Sequence, residues 1–320
     1  MRFENQRESS HIDDRRGGGG GGMSSGGNPL GGMRLPMGKG GMGIGGLLLL
    51  LVVGYFAGIN PLQILAGGGG GGGGGLGGVL GGMLGVQPQV SQQSDTPIRE
   101  TVEEKALLKF VGQVLATTET CWQDLLPRHF NRKYEDPSLV VFRDGVRSAC
   151  GEASSSMGPF YCPGDHNVYI DLSFLDKMGQ MLGAKGDFAQ AYVVAHEVGH
   201  HVQNLLGTSD KVHRLHSQLD ETEYNKYSVR LELQADYFAG VWAHYVEHKM
   251  GDTVKLEAGD YEEAINAAHS VGDDTLQKRA SGRVVPEKFT HGTAAQRAKW
   301  FKLGYDTGDP TAHDPFQEEK

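Results

Sequence analysis

Between residues 186 and 207, apolar positions return at helical spacing: Phe188, Ala191, Tyr192, Val194, Ala195, Val198, Val202 and Leu205. Residues three and four apart share a helix face, so the run predicts one helix, opened at Gly186-Asp187 and stopped at Gly207. A second helix is predicted from about Asp220 to His248, mostly buried, with Leu231, Leu233, Ala235, Tyr237, Phe238 and Trp242. Val102, Ala106, Phe110, Val111 and Val114 form the apolar face of an earlier helix, for which Thr96-Pro97 reads as cap and first residue. Asp260–His269 reads as another, ending near Gly272-Asp273-Asp274, and Thr293 with Gln296 forms a capping box that opens the last. Strand patterns are few. Ser138–Phe142 is short and continuously apolar, and His166–Phe174 alternates Val168, Ile170 and Leu172 against Tyr169, Asp171 and Ser173, as a half-buried strand does. Such a strand either edges a substrate cleft or is an ordinary member of the sheet. The expectation is a helix-rich α+β domain with a small sheet over residues 96–310, followed by a flexible tail, 311–320.

The chain before this domain has another character. Of its 50 glycines, 32 precede residue 86. Such sequence buries too little apolar surface to offset backbone entropy, so residues 1–43 are expected to be disordered and 67–95 to be a linker. Residues 44–66 carry no charge and are long enough to cross a bilayer as one helix. Arg2, Arg7, Arg15, Arg16, Arg34 and Lys39 precede this stretch and no basic residue follows until Arg99. The positive-inside rule then leaves the N-terminus cytoplasmic and the folded domain outside the inner membrane of a bacterium, with a cleaved signal peptide as the alternative. Export suits a Cys150–Cys162 disulfide across the turn-rich segment between them, with Cys121 left over; three buried thiols are the other reading. The net charge of -9, with no basic concentration in the domain, gives no footprint for nucleic acid.

The first predicted helix carries His196-Glu197-Val198-Gly199-His200. Two imidazoles one turn apart can share a zinc ion, and Glu197, pointing elsewhere, can take a proton from an attacking water. A third ligand is needed. Glu232 in the second helix is the candidate, and Asp236, one turn on, can accept the far N–H of a ligating histidine. His291 sits on the loop entering the last helix, where it can hydrogen-bond an oxyanion or be a plain surface residue. Arg297 can orient it or bind substrate. His201, His213, His216, His244 and His248 read as structural or exposed. The Asp273-Asp274 pair reads as a solvated helix end in preference to a calcium site.

Gly158-Pro-Phe-Tyr-Cys162-Pro, the stretch Ala191–Gln203 around the histidine motif, Glu232-Leu-Gln-Ala-Asp236 and Phe289-Thr-His-Gly292 together resemble the bacterial neutral zinc metallopeptidase family, the YpfJ-like proteins. The resemblance covers nearly the whole chain, including its opening Met1-Arg-Phe. More distantly it is similar to gluzincin peptidases of the CAAX-protease and heat-shock-protease group. That likeness implies a zincin-like fold, one Zn2+ per chain and Glu232 as third ligand. In that group proline commonly follows the late histidine; here Gly292 stands there. The expected function is a membrane-anchored zinc endopeptidase, held by one N-terminal helix and acting on a peptide or protein. The alternatives are a tethered zinc-stabilised module that binds without cutting, and a hydrolase of a non-peptide amide.

Overall fold

The computed structural model describes residues 1–17, 100–181, 183 and 186–317. In chain order, β1 (Arg2–Phe3) and β2 (Ile12–Asp14) precede the long helix α1 (Val102–Phe130). Then come β3 (Ser138–Phe142), the hairpin of β4 (Gly145–Ser148) and β5 (Gly151–Ser154), β6 (Phe160–Cys162) and β7 (Asn167–Asp171). Helices follow: α2 (Leu172–Met181), α3 (Asp187–Leu206), α4 (Thr208–Leu215) and α5 (Glu221–Lys249). After β8 (Val254–Lys255) the chain closes with α6 (Asp260–Ser270), α7 (Asp273–Ser281) and α8 (Ala294–Thr307).

The helix boundaries follow local chemistry. Thr101 and Glu104 form a reciprocal capping box, so α1 begins at Val102; the expected cap at Thr96-Pro97 lies outside the described residues. Gly186 and Gly207 bound α3, Asp220 caps α5 on the N–H of Glu223, and Thr293 with Gln296 caps α8. Small residues then let the helices approach. A Cβ on Gly199 of α3 would stand 2.9 Å from the Ala235 carbonyl oxygen of α5. Between α5 and α8 the fit is closer still: a Cβ on Gly240 would stand 2.0 Å from the Phe301 oxygen, and one on Gly304 2.0 Å from the Tyr237 oxygen. These two helices therefore pack backbone to backbone, with Trp242, Tyr237, Phe238 and Phe301 buried around them.

The main sheet has the order β2-β3-β7-β6, parallel across its first two pairs and antiparallel across the last. The strand at 166–174 is thus neither half-buried nor an edge. It ends at Asp171, where α2 begins, and runs between two neighbours. Val168 and Ile170 face the helices, while Tyr169 joins Val140, Phe142 and Cys162 under Val146 and Phe160. The hairpin of β4 and β5 supplies this second cover, and the Cys150–Cys162 disulfide ties it to β6. Cys121 remains a buried thiol.

The N-terminal residues require a correction. Residues 1–16 belong to the folded domain: β1 pairs with β8 and β2 forms one edge of the main sheet. Glu119 of α1, 1% exposed, gathers Arg7 at 2.6 Å, His11 Nδ1 at 3.0 Å and the Ser9 hydroxyl. The Met1 ammonium donates to Asp187 at 2.8 Å and to Asp260 at 2.9 Å. Asp187, Asp260 and Glu263 lie close enough to hold a cation, and two of them, Asp187 and Asp260, hold this ammonium, with Glu257 at 3.6 Å. A segment so packed lies on the same side of any membrane as α1–α8, which overturns the expected cytoplasmic N-terminus with the domain opposite. Residues 44–66 lie outside the described residues, and among those described no helix is long and apolar enough to cross a membrane. The membrane-anchored architecture, the membrane as partner and the inner-membrane location are therefore withdrawn. The tail is also more ordered than expected: Gln234 Nε2 meets Asp314 at 3.3 Å, His313 packs edge-on to Tyr237, and Pro315 is buried.

Removing residues 1–16 takes Arg7, Ser9 and His11 away from the Glu119 carboxylate. Leaving a buried charge uncompensated costs about 3–5 kcal/mol, so the shortened chain is expected to unfold at clearly lower urea. An unchanged midpoint would show that the segment adds nothing to the domain.

Candidate metal centre

α3 places His196 and His200 one turn apart, their rings 4.8 Å apart and nearly perpendicular. α5, drawn close at Gly199, brings Glu232 between them. His196 Nε2 lies 3.2 Å from Glu232 Oε2, and His200 Nε2 lies 3.5 Å from Oε1. One ligand atom from each residue falls within 4.8 Å of the others. For metal–ligand bonds of about 2.0–2.1 Å, the ligand atoms of a tetrahedral zinc stand roughly 3.3 Å apart. The His–Glu separations therefore suit zinc, and so does the donor set of two imidazoles and one carboxylate.

The far side of each ring is also provided for. His196 Nδ1 faces Asp236 Oδ1 at 2.9 Å, and His200 Nδ1 faces Gln203 Oε1 at 2.9 Å. Both partners are acceptors, so each ring donates from Nδ1 and turns Nε2 toward Glu232. The Gln203 amide is oriented by its own Nε2, which donates to the Leu231 carbonyl at 2.6 Å. Gln203 was missed in the sequence, although its place three residues after His200, on the same face, was a usable signal.

Asp236 is fully buried and accepts from three side chains on two other helices. Tyr192 O–H donates at 2.5 Å, His196 Nδ1 lies at 2.9 Å, and Arg297 of α8 donates from Nε and Nη2, both at 2.8 Å. Burial pushes the Asp236 pKa up, but Arg297 and His196 outweigh it and hold the group ionised. Arg297, 3% exposed, thus faces Asp236, with its Nη2 also 3.7 Å from Glu232 Oε2, and no hydrogen bond joins it to His291 among the described residues. For His196, burial and Arg297 work against the charge; Asp236 and Glu232 prevail and raise its pKa to about 9. Glu232 is held well below the carboxylate range, since His200 and His196 overcome its burial.

Glu197 is 8% exposed, and no hydrogen bond or ion pair engages it among the described residues. His291 lies on the loop before α8. Its pKa is raised: burial opposes the charge, while Asp273 and the nearby Glu232 favour it. Asp273, the first residue of α7, accepts the backbone N–H groups of Thr290, His291 and Gly292, so it is neither a solvated helix end nor a calcium ligand. His201 is structural: it bridges Tyr161 O–H at 3.0 Å and the Glu135 oxygen at 2.6 Å, and burial lowers its pKa to about 4.

Comparison with known proteins agrees with this geometry. The family described as "Putative neutral zinc metallopeptidase" matches residues 1–316. The chain is 47% identical over 318 residues to the uncharacterized protein YpfJ of Escherichia coli (strain K12), covering 99% of each. It is 43% identical over 219 residues to the uncharacterized protein Rv2575 of Mycobacterium tuberculosis, covering 64% of this chain and 70% of the relative. No solved structure matches it.

Asp236→Asn keeps the shape but removes the charge that holds His196 and balances Arg297. Partners of this kind are worth about 10–100-fold in metal affinity. Zinc competition against a chromogenic chelator is expected to show a loss in that range, and equal affinity would remove Asp236 from the site.

Proposed function

The chain belongs to the neutral zinc metallopeptidase family, and we propose that it is a zinc-dependent endopeptidase. The observation that carries this reading is the His196, His200 and Glu232 cluster with an unengaged Glu197 on the same helix turn. Pure metal binding has no use for a carboxylate left without a partner beside the ligands, which disfavours a non-catalytic binding module.

His196, His200 and Glu232 would hold zinc, which when bound supplies an acidified water and an electrophilic centre for a carbonyl. Glu197 takes the proton from the attacking water and passes it to the leaving amine. Tyr192, Asp236 and Arg297 keep the His196 ring in place behind the reacting groups. His291 donates a hydrogen bond to the oxyanion of the tetrahedral intermediate. A peptide can align on β6 rather than on the interior β7. β6 is the edge of the described sheet opposite β2, and its Tyr161 reaches His201, next to the candidate ligand His200.

Glu197→Gln is nearly isosteric and cannot accept the proton. General bases contribute about 10^2–10^4-fold, so the variant is expected to keep about one zinc per chain and to lose casein cleavage by that factor. Cleavage at the wild-type rate would exclude Glu197 as the base. A zinc-loaded wild type inert toward every unfolded protein offered would sink the endopeptidase reading.

A further inference from the structure

The loop carrying His291 is built around a side chain that no catalytic motif in the sequence contains. Asp273 Oδ2 receives three consecutive backbone N–H groups, from Thr290 at 2.8 Å, His291 at 2.7 Å and Gly292 at 3.1 Å. Its other oxygen, Oδ1, lies 3.1 Å from His291 Nδ1, which also has the Thr290 hydroxyl at 3.0 Å. The attachment is reciprocal, since Asp273 N–H donates to the Gly292 oxygen at 2.8 Å, and Asp274 Oδ1 accepts the Ala294 N–H at 2.8 Å. Gly272 rests on the start of α8 so closely that a Cβ there would meet the Ala294 nitrogen at 2.2 Å. Asp273 itself is 4% exposed.

Gly292 follows from the same construction. Its φ is +86°, in the left-handed region, and its N–H is spent on Asp273. Proline can supply neither, so the residue after His291 is constrained by the same attachment to Asp273.

We propose that Asp273 is the positioning residue for His291, one oxygen fixing the loop backbone and the other fixing the ring, so that Nε2 is left to meet the oxyanion. The catalytic part of this proposal rests on the endopeptidase reading. A carboxylate that merely capped the loop would need only Oδ2. The engagement of Oδ1 with the ring is the part that structure alone does not require. With Nδ1 held between Asp273 Oδ1 and the Thr290 hydroxyl, the ring is kept from turning to present that nitrogen instead. The negative charge beside it also favours the imidazolium, in which Nε2–H is a donor.

The test uses the full zinc-loaded chain as wild type, Asp273→Asn, His291→Ala and the double variant, with zinc content and thermal unfolding measured on each. Asp273→Asn is expected to lower kcat on a quenched peptide or casein about 10–100-fold, with KM within about twofold and zinc near one per chain. Added to His291→Ala it should cost less than about twofold more, because residues acting through one another are not additive. Wild-type kcat in a folded Asp273→Asn, or losses that multiply in the double variant, would overturn the proposal. A second measurement does not depend on any Asp273 variant folding. In 15N-histidine spectra of the Glu197→Gln chain, which does not digest itself, His291 Nδ1 should be protonated; an unprotonated Nδ1 overturns the link. Should the wild type cleave nothing, the endopeptidase reading falls while the spectrum still decides whether Asp273 holds the ring.

Discussion

A carboxylate with no access to water has to be compensated where it stands, and Asp236 is the group in this fold on which that demand falls hardest. Its donors come from α3, through Tyr192 and His196, and from α8, through Arg297, while Asp236 itself belongs to α5. Three helices are therefore fixed against one another by one charge. The apolar packing permits this arrangement but does not specify it. Leu, Val and Phe side chains would tolerate a small slide between helices, whereas two N–H···O bonds from one guanidinium to one carboxylate would not. The glycine pair Gly240 and Gly304 completes the argument, because only an approach of bare backbone brings Arg297 within reach of Asp236. The same network sets the His196 ring, so metal geometry and helix packing are one problem with one solution.

Much of this was legible in the sequence because it is local. Four-residue spacing fixes which histidines share a face, and the capping box at Thr293 marks a helix start through contacts three residues long. Glu232 and Asp236 followed from spacing on a second helix and from family resemblance. What stayed hidden depends on partners distant in sequence. Arg7 and Ser9 answer a buried glutamate more than 100 positions away, and β1 and β2 are two and three residues long, too short for any period to show. Beside glycine runs, such fragments read as disordered by composition. Arg297 gave no sign that Asp236 was its partner, and the alternation of 166–174 gave no sign that a disulfide-tied hairpin covers its second face.

The N-terminal segment also changes how the helix of His196 and His200 is held. Asp187 lies in the first turn of α3, and the ammonium it shares with Asp260 of α6 joins that turn to a neighbouring helix. At the other end of α3, His201 ties the helix to β6 and to the Glu135 carbonyl. The helix bearing both histidines is thus restrained at its start, along its buried face and near its end, each time by hydrogen bonds whose partners lie in other elements. A zinc site needs ligand atoms fixed to within a fraction of an ångström, and helices so restrained can supply that without the metal doing the ordering.

The opposite side of the candidate site lacks that advantage, since His291 is carried by a loop. Loops position groups less well than helices because their backbone donors and acceptors are not consumed by a regular ladder. Here three successive N–H groups of the loop are consumed by one buried carboxylate at the first residue of α7. That substitutes a single anchored acceptor for the missing ladder and gives the loop the stiffness of the helix it hangs from. The two sides of the candidate centre consequently use the same physical device, a buried aspartate whose charge is met by the groups it must place: Asp236 behind the candidate metal ligands and Asp273 behind the loop histidine. Water excluded from both aspartates is what makes them effective, because an exposed carboxylate would exchange these partners for solvent.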